Sequence, residues 1–261
     1  MKTIIFYCVV IAITGCTNDV DLSTIIPGTY LMKSQTLNDG KNDTRYTELK
    51  QLKIYTDKFF MYTQVNPDDS VSAFGVGTYK TGKKDSLTEN VIYSASDTSF
   101  NDKPISYLLS INLTSDGYNQ VIRGIVFDGK KSTLTEEYDR VGTKDSSALD
   151  GVWKEIKGYS VNGTDTVTYN RTQYKAYYSG YFMFGHSAKD SSGKTRTGIG
   201  FGTFEMEGNN KLKETDLNST YSIIAGQSFT IDISMDGADK YHQTITNSDG
   251  SKSIEFYEKL K

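Results

Sequence analysis

Two carboxylates recur at matching places in this chain: Glu89 stands two residues after Leu87, and Glu214 two residues after Leu212. Alternation with a leucine puts each glutamate on one face of a strand. Sugar-bond hydrolysis asks for two carboxyl groups about 5–10 Å apart, and each copy supplies one. The plainer role is an ion pair with a cation such as Arg140 or Lys259, or simple exposure, since paired charges commonly serve structure. The two histidines, His186 and His242, do not recur. Neither has the neighbouring cysteine or carboxylate spacing that a catalytic triad or a transition-metal site needs, so both are expected at the surface, with no metal and no cofactor. The rings of Tyr55, Tyr62, Tyr79, Tyr177, Tyr178 and Phe204 are suited to line a cavity or stack on a sugar. Equally, they are suited to fill a small core. With Glu89 and Glu214 they make up the candidate pocket.

These residues sit in a duplicated frame. Phe74-Gly75-Val76-Gly77-Thr78-Tyr79 returns as Ile199-Gly200-Phe201-Gly202-Thr203-Phe204, and Phe59-Phe60-Met61-Tyr62 returns as Tyr181-Phe182-Met183-Phe184. Glu136 to Val141 likewise matches Glu255 to Leu260. Two glycines one residue apart strip a strand face, so that it bends sharply or admits another backbone. Strand-like residues follow them, whereas a dinucleotide loop leads into a helix. A repeat running the length of 261 residues implies two domains, each large enough to bury its own core. Nineteen tyrosines and 12 phenylalanines, with 23 glycines and three prolines, suit strands and hairpins. Net charge is -3, with no basic cluster to meet a nucleic-acid backbone.

Turn signals such as Asn38-Asp39-Gly40, Asn66-Pro67-Asp68-Asp69, Asp116-Gly117 and Asp128-Gly129 cut the first half into strands near 28–36, 46–56, 58–65, 71–80, 86–94, 105–114, 118–127 and 132–141. Residues Thr47 to Leu52 also suit a helical turn. Eight sequential antiparallel strands close most simply into an up-and-down barrel without edges. The expectation is an all-β chain with barrels at 26–143 and 148–261, joined by a small polar linker. Such a barrel has room for little more than its own side chains, so hollow and filled interiors stay open at this point.

The first residues form a separate unit. Lys2, the apolar run from Ile4 to Ile13 and the small residues before Cys16 read as an export signal over 1–15, too short to stay in a bilayer. Ile13-Thr14-Gly15-Cys16 resembles a bacterial lipoprotein signal. That resemblance implies lipidation of Cys16, a tether over 16–25 and stable attachment to a membrane, with Thr17 pointing to the outer membrane. Cys8 would leave with the signal, so no disulfide is expected.

Gly28-x-Tyr30 and Gly151-x-Trp153 on the first strands, with Arg140 and Lys259 on the last, resemble the lipocalin-like (calycin) signature. In that superfamily a basic residue covers an aromatic ring and closes one barrel end, a contact of about 0.5–2 kcal/mol. More narrowly, the chain resembles lipocalin-like domains of Bacteroidetes-type lipoproteins. Members of that narrower group have no assigned function; the Cys16 signal, the full-length duplication and the lack of a catalytic cluster lead to the expectation of a lipid-anchored envelope protein that binds a small hydrophobic or glycan ligand. A scaffold with filled barrels that engages an envelope protein comes second, and a glycan-processing enzyme third. Asp69-Ser70-Val71, Asp85-Ser86-Leu87 and Asp165-Thr166-Val167 resemble O-glycosylation triplets of the same bacteria.

Overall fold

The computed structural model describes residues 21–65, 72–95, 103–127, 129–142 and 146–261. Cys16, the export signal, the start of the tether, the turn at Asn66 to Asp69, the triplet Asp69-Ser70-Val71 and part of the linker lie outside these residues. A short helix, α1 (Leu22–Ile25), leads into β1 (Gly28–Asn38), β2 (Asp43–Tyr46), β3 (Lys50–Tyr55), β4 (Phe59–Val65), β5 (Ser72–Thr81), β6 (Ser86–Ser94), β7 (Ile105–Leu113), β8 (Gly117–Phe127) and β9 (Lys130–Val141). The second half repeats the series as β10 (Gly151–Asn162), β11 (Asp165–Thr168), β12 (Thr172–Tyr178), β13 (Tyr181–Lys189), β14 (Thr195–Met206), β15 (Lys211–Ser219), β16 (Ser228–Met235), β17 (Lys240–Thr246) and β18 (Lys252–Lys259).

Each half is a closed antiparallel barrel of eight strands, sealed by β1 on β9 and by β10 on β18. The extra strands β2 and β11 are outlying arms that pair only with the far ends of β1 and β10. They were not anticipated, because their residues are all exposed and carry no apolar alternation. At the tip of the first arm Gly40 adopts φ +87°, a left-handed backbone open to glycine at little cost.

Two expectations are corrected locally. Thr47 to Leu52 is not a helical turn: Lys50 to Leu52 open β3 and pair with Val65 to Thr63 of β4, so cross-strand bonding overrides local helix propensity. The expected tether at 16–25 is ordered at its end, where Asp21 caps α1 and buries Leu22 and Ile26 in the base of the first barrel.

The repeated Gly-x-Gly marks where the sheet bends. Pairing of β5 with β6 shifts register between Val76 and Gly77, and β14 with β15 between Phe201 and Gly202. A methyl on Gly77 would lie 2.2 Å from the Asn90 carbonyl oxygen, and one on Gly202 1.9 Å from that of Thr215. Only a bare backbone lets the bulged strands come this close.

The two barrels pack on each other through the outer faces of β3 to β5 and β12 to β14. Leu52, Ile54, Met61 and Phe74 of the first meet Ala176, Met183, Ile199 and Phe201 of the second in one buried cluster. The Phe74 ring lies against bare Gly185, and Thr29 Oγ1 donates to the Tyr178 carbonyl at 3.0 Å.

Candidate functional site

One end of each barrel is shut by the same device. The guanidinium of Arg140 lies 5.5 Å from the centre of the Tyr30 ring, and the ammonium of Lys259 lies 5.2 Å from that of Trp153. Cross-strand pairing puts them there, Tyr30 opposite Arg140 and Trp153 opposite Lys259. The glycine two residues before each ring makes room: a methyl on Gly28 would meet the Arg140 guanidinium at 2.8 Å, and one on Gly151 the Lys259 chain at 2.3 Å. Arg140 also donates to the carbonyls of Ile25 and Pro27, tying α1 over the end.

Above this seal the lower half of each barrel is solid. Tyr55, Phe60, Tyr79 and Tyr118 fill the first, and Tyr177, Phe182, Phe204 and Tyr241 the second, mostly edge to face. Tyr55, Tyr79, Tyr177 and Phe204, expected as candidate pocket residues, are therefore core. Tyr178 points out of its barrel toward the other one, because it ends β12 on the packed outer face.

At mid-height stands a buried polar layer, the same in both barrels. Lys53, 3% exposed, holds Glu89, 5% exposed, at 2.6 Å. Lys175 holds Glu214 at 2.7 Å. Tyr55 donates to Glu89 and Tyr177 to Glu214, while the lysines also reach Gln120 and Gln243 at 3.3 Å. Gln120 donates to Glu136 and Gln243 to Glu255, and Tyr138 and Tyr257 donate to the same two carboxylates. Gln51 and Gln173 complete the layer on Tyr138 and Tyr257. A buried charge is tolerable only when partners satisfy it this fully. The expected partner of the two glutamates is corrected: each pairs with the lysine on β3 or β12 inside the barrel, and Arg140 and Lys259 stay at the closed ends.

Sequence reading missed these lysines and glutamines. The signal was present as Gln51-x-Lys53-x-Tyr55 returning as Gln173-x-Lys175-x-Tyr177, three alternate residues on one strand face. The intervening Leu52 and Ile54 are apolar, as is Tyr55, so the strand lacks the simple alternation that tells inside from outside.

Over the polar layer each barrel opens into a cavity. In the first it is about 260 Å³, with Tyr62, Val91, Ile122, Ile125 and Leu134 on the walls and Lys53, Glu89 and Glu136 in the floor. In the second it is about 270 Å³, walled by Phe184, Ile224, Phe229, Ile231 and Ile245. Of the expected pocket residues, Tyr62, Glu89 and Glu214 line these cavities. A wider cleft of about 710 Å³ runs between the barrels near Asp57, Asp150 and Lys259, as an open surface feature.

The second cavity carries charges that the first lacks. Glu155 stands opposite Tyr257 as Met32 stands opposite Tyr138, and His186 stands opposite Gln173 as Gln64 stands opposite Gln51. Asp216 follows Glu214 by two residues, where Val91 follows Glu89. Arg171 bridges Glu155 at 2.9 Å and Glu255 at 2.7 Å. Burial pushes the carboxyl of Glu136 up, and Lys53 offsets only part of this. At Glu255 burial acts the same way, yet Arg171 and Lys175 outweigh it and its carboxyl is held below the usual range. His186, expected at the surface, reaches this cavity. Burial and then Arg171 hold its ring neutral, down at about 4, and its Nε2 lies 2.7 Å from the Tyr221 hydroxyl. His242 lies on the outer face, stacked on Phe256.

Among the described residues no group of three or more His, Cys, Asp or Glu side chains could hold a metal ion, and no helix is long and apolar enough to cross a membrane. No family model matches the sequence, and no curated protein matches it. Among solved structures, the chain is similar to a protein of unknown function from the DUF3598 family of Nostoc punctiforme. The alignment covers 91% of this chain and 98% of that one, at 11% identity and a TM-score of 0.28.

Proposed function

We propose that the protein is a non-catalytic binding module of the cell envelope, held to the membrane by a lipid on Cys16, in which each barrel takes a small ligand by its polar end. The observation that carries this reading is the half-filled interior: aromatic rings pack the closed end solid, and a cavity of about 260 or 270 Å³ lies open above a charged floor. These volumes fall just under the ~300–1,000 Å³ of pockets for drug-sized molecules, which favours a compact amphiphile or a monosaccharide over a sterol or a haem. The floor supplies donors and acceptors that fix a polar group, and the aliphatic walls cover a short hydrocarbon. The non-catalytic reading is supported by Glu89 and Glu214 being committed to a lysine and a tyrosine each.

A thermal-shift screen on the full chain tests the proposal, using short-chain alcohols, amines and acids, monosaccharides, a sterol and a haem. Small amphiphiles should raise the melting temperature of the wild type. The blocking variants Ile122→Trp and Ile245→Trp should each remove the response of one barrel. Stabilisation only by the sterol or haem, or by nothing, would overturn the reading. The scaffold alternative draws on a separate observation, the exposed apolar side chains of Leu108, Val126 and Phe127 on the first barrel.

A further inference from the structure

Asp216 is only 3% exposed, it lines the second cavity, and its Oδ1 has no hydrogen-bond partner. Such an orphan is rare, because a buried polar atom without a partner loses its hydration and gains nothing in return. Among the described residues no cation forms an ion pair with it, although Lys175 lies near enough to favour its ionised form. Arg171 is taken by Glu155 and Glu255, and Lys175 by Glu214. The ionisable groups lining this space are Arg171 and Lys175 at β12, His186 on β13, Glu214 and Asp216 on β15, and Glu255 on β18, with Tyr169 and Tyr257; behind them Glu155 on β10 meets Arg171, Tyr177 meets Glu214 and Tyr221 meets His186. With histidine neutral, the two cations lining the cavity face three carboxylates, a formal 2 − 3 = −1, with Glu155 behind Arg171. In the first barrel the corresponding set is Lys53 against Glu89 and Glu136, a formal 1 − 2 = −1.

A methyl on Gly200 would come within 2.9 Å of Asp216 Oδ1 and 2.4 Å of the Phe184 ring, so the bare glycine lets both side chains pack against its backbone at the cavity wall. His186 Nδ1 is a second buried atom without a partner on the same cavity. The backbone of Asp216 is fixed by Gln227 and Gly226, so the loop bearing Tyr221 and Ile224 folds back over the mouth. Phe184 and Phe229 line the cavity, and aromatic rings attract a cation and also cover hydrocarbon.

We propose that the second barrel, and not the first, binds a small organic ammonium ion, its nitrogen on Asp216 and its hydrocarbon part against Phe184, Phe229 and Ile245. This rests on the binding reading above and names the ligand class for one of the two sites. A carboxylate ligand would meet the net negative charge, and a neutral alcohol brings no charge to pair with Asp216 when its carboxyl is ionised. Burial and then Glu214 hold the Asp216 carboxyl up at about 7. A bound ammonium favours the ionised carboxylate, so binding releases a proton and weakens as pH falls below 7.

The test is isothermal titration calorimetry on the full chain with n-hexylamine, n-hexanol and hexanoate, at pH 8 and pH 5.5. One hexylamine per chain should bind at least ten-fold tighter than hexanol, hexanoate should give no heat, and hexylamine affinity should drop about ten-fold or more at pH 5.5. Asp216→Asn should bring hexylamine down to the hexanol level and leave hexanol unchanged; a thermal scan checks that this isosteric variant is folded, and Ile245→Trp gives a second variant that blocks the site by volume. Equal affinities for amine and alcohol, or an Asp216→Asn variant that still prefers the amine, would overturn the ammonium assignment while leaving the binding reading standing. Heat from none of the three would overturn both.

Discussion

Asp216 and His186 line one cavity, and burial shifts them in opposite senses. The neutral His186 ring is held down at about 4 by burial and Arg171, against an ordinary 6.5. Between these values the unfolded chain carries the extra proton, so this group makes stability rise with pH and loses its contribution as pH falls from 6.5 to 4. Asp216 is held up at about 7 by burial and Glu214, against 3.8, so the folded chain carries the extra proton and stability falls as pH rises through that window. The two slopes oppose each other across about pH 4 to 6.5. In denaturant unfolding at a series of pH values, Asp216→Asn should uncover a protein that weakens toward pH 4, and His186→Gln one that weakens toward pH 7. Parallel pH profiles for the two variants would contradict this placement. At this scale the sequence was half legible. Glu89 and Glu214 stood out because they recur, whereas Asp216, His186, Arg171 and Glu155 occur in one copy, where a search guided by repetition does not look.

At the scale of elements the repeated glycines carry the argument. Gly77 and Gly202 sit at register shifts with a neighbouring carbonyl oxygen in the place of a methyl group, and neither backbone can retreat without breaking its ladder. Gly202→Ala should therefore cost about 3 kcal/mol or more, at or above the upper end of ordinary overpacking. Gly40→Ala, in an open turn at φ +87°, should cost only about 1 kcal/mol of backbone strain. Melting temperatures of the two variants compare them directly, and a milder effect at Gly202 would count against the bulge. The bend was legible because glycine at alternate positions has few other uses in a strand. The arms β2 and β11 were not: four exposed residues each, with no apolar partner face, give a sequence pattern no signal to display.

On the scale of the molecule, the two barrels share a wall, and this sets where charge is stored. β3 and β12 are buried on both faces, with Leu52, Ile54 and Ala176 against the other barrel and Gln51, Lys53, Gln173 and Lys175 turned inward. An isolated barrel reads apolar-in and polar-out. Here the duplication inverts that pattern on the shared wall, which is why the interior charges escaped sequence reading although the strands themselves did not. The inward charges, satisfied by one another, form the floor of each cavity, and the central proposal is that a small ligand docks above it. Methyl-labelled NMR of the full chain titrated with n-hexanol tests it most directly. The account predicts shifts at Ile122, Ile125 and Leu134 in the first cavity and at Ile231 and Ile245 in the second. Shifts confined to exposed Leu108, Ile156 and Ile223, or no shifts at all, would contradict it.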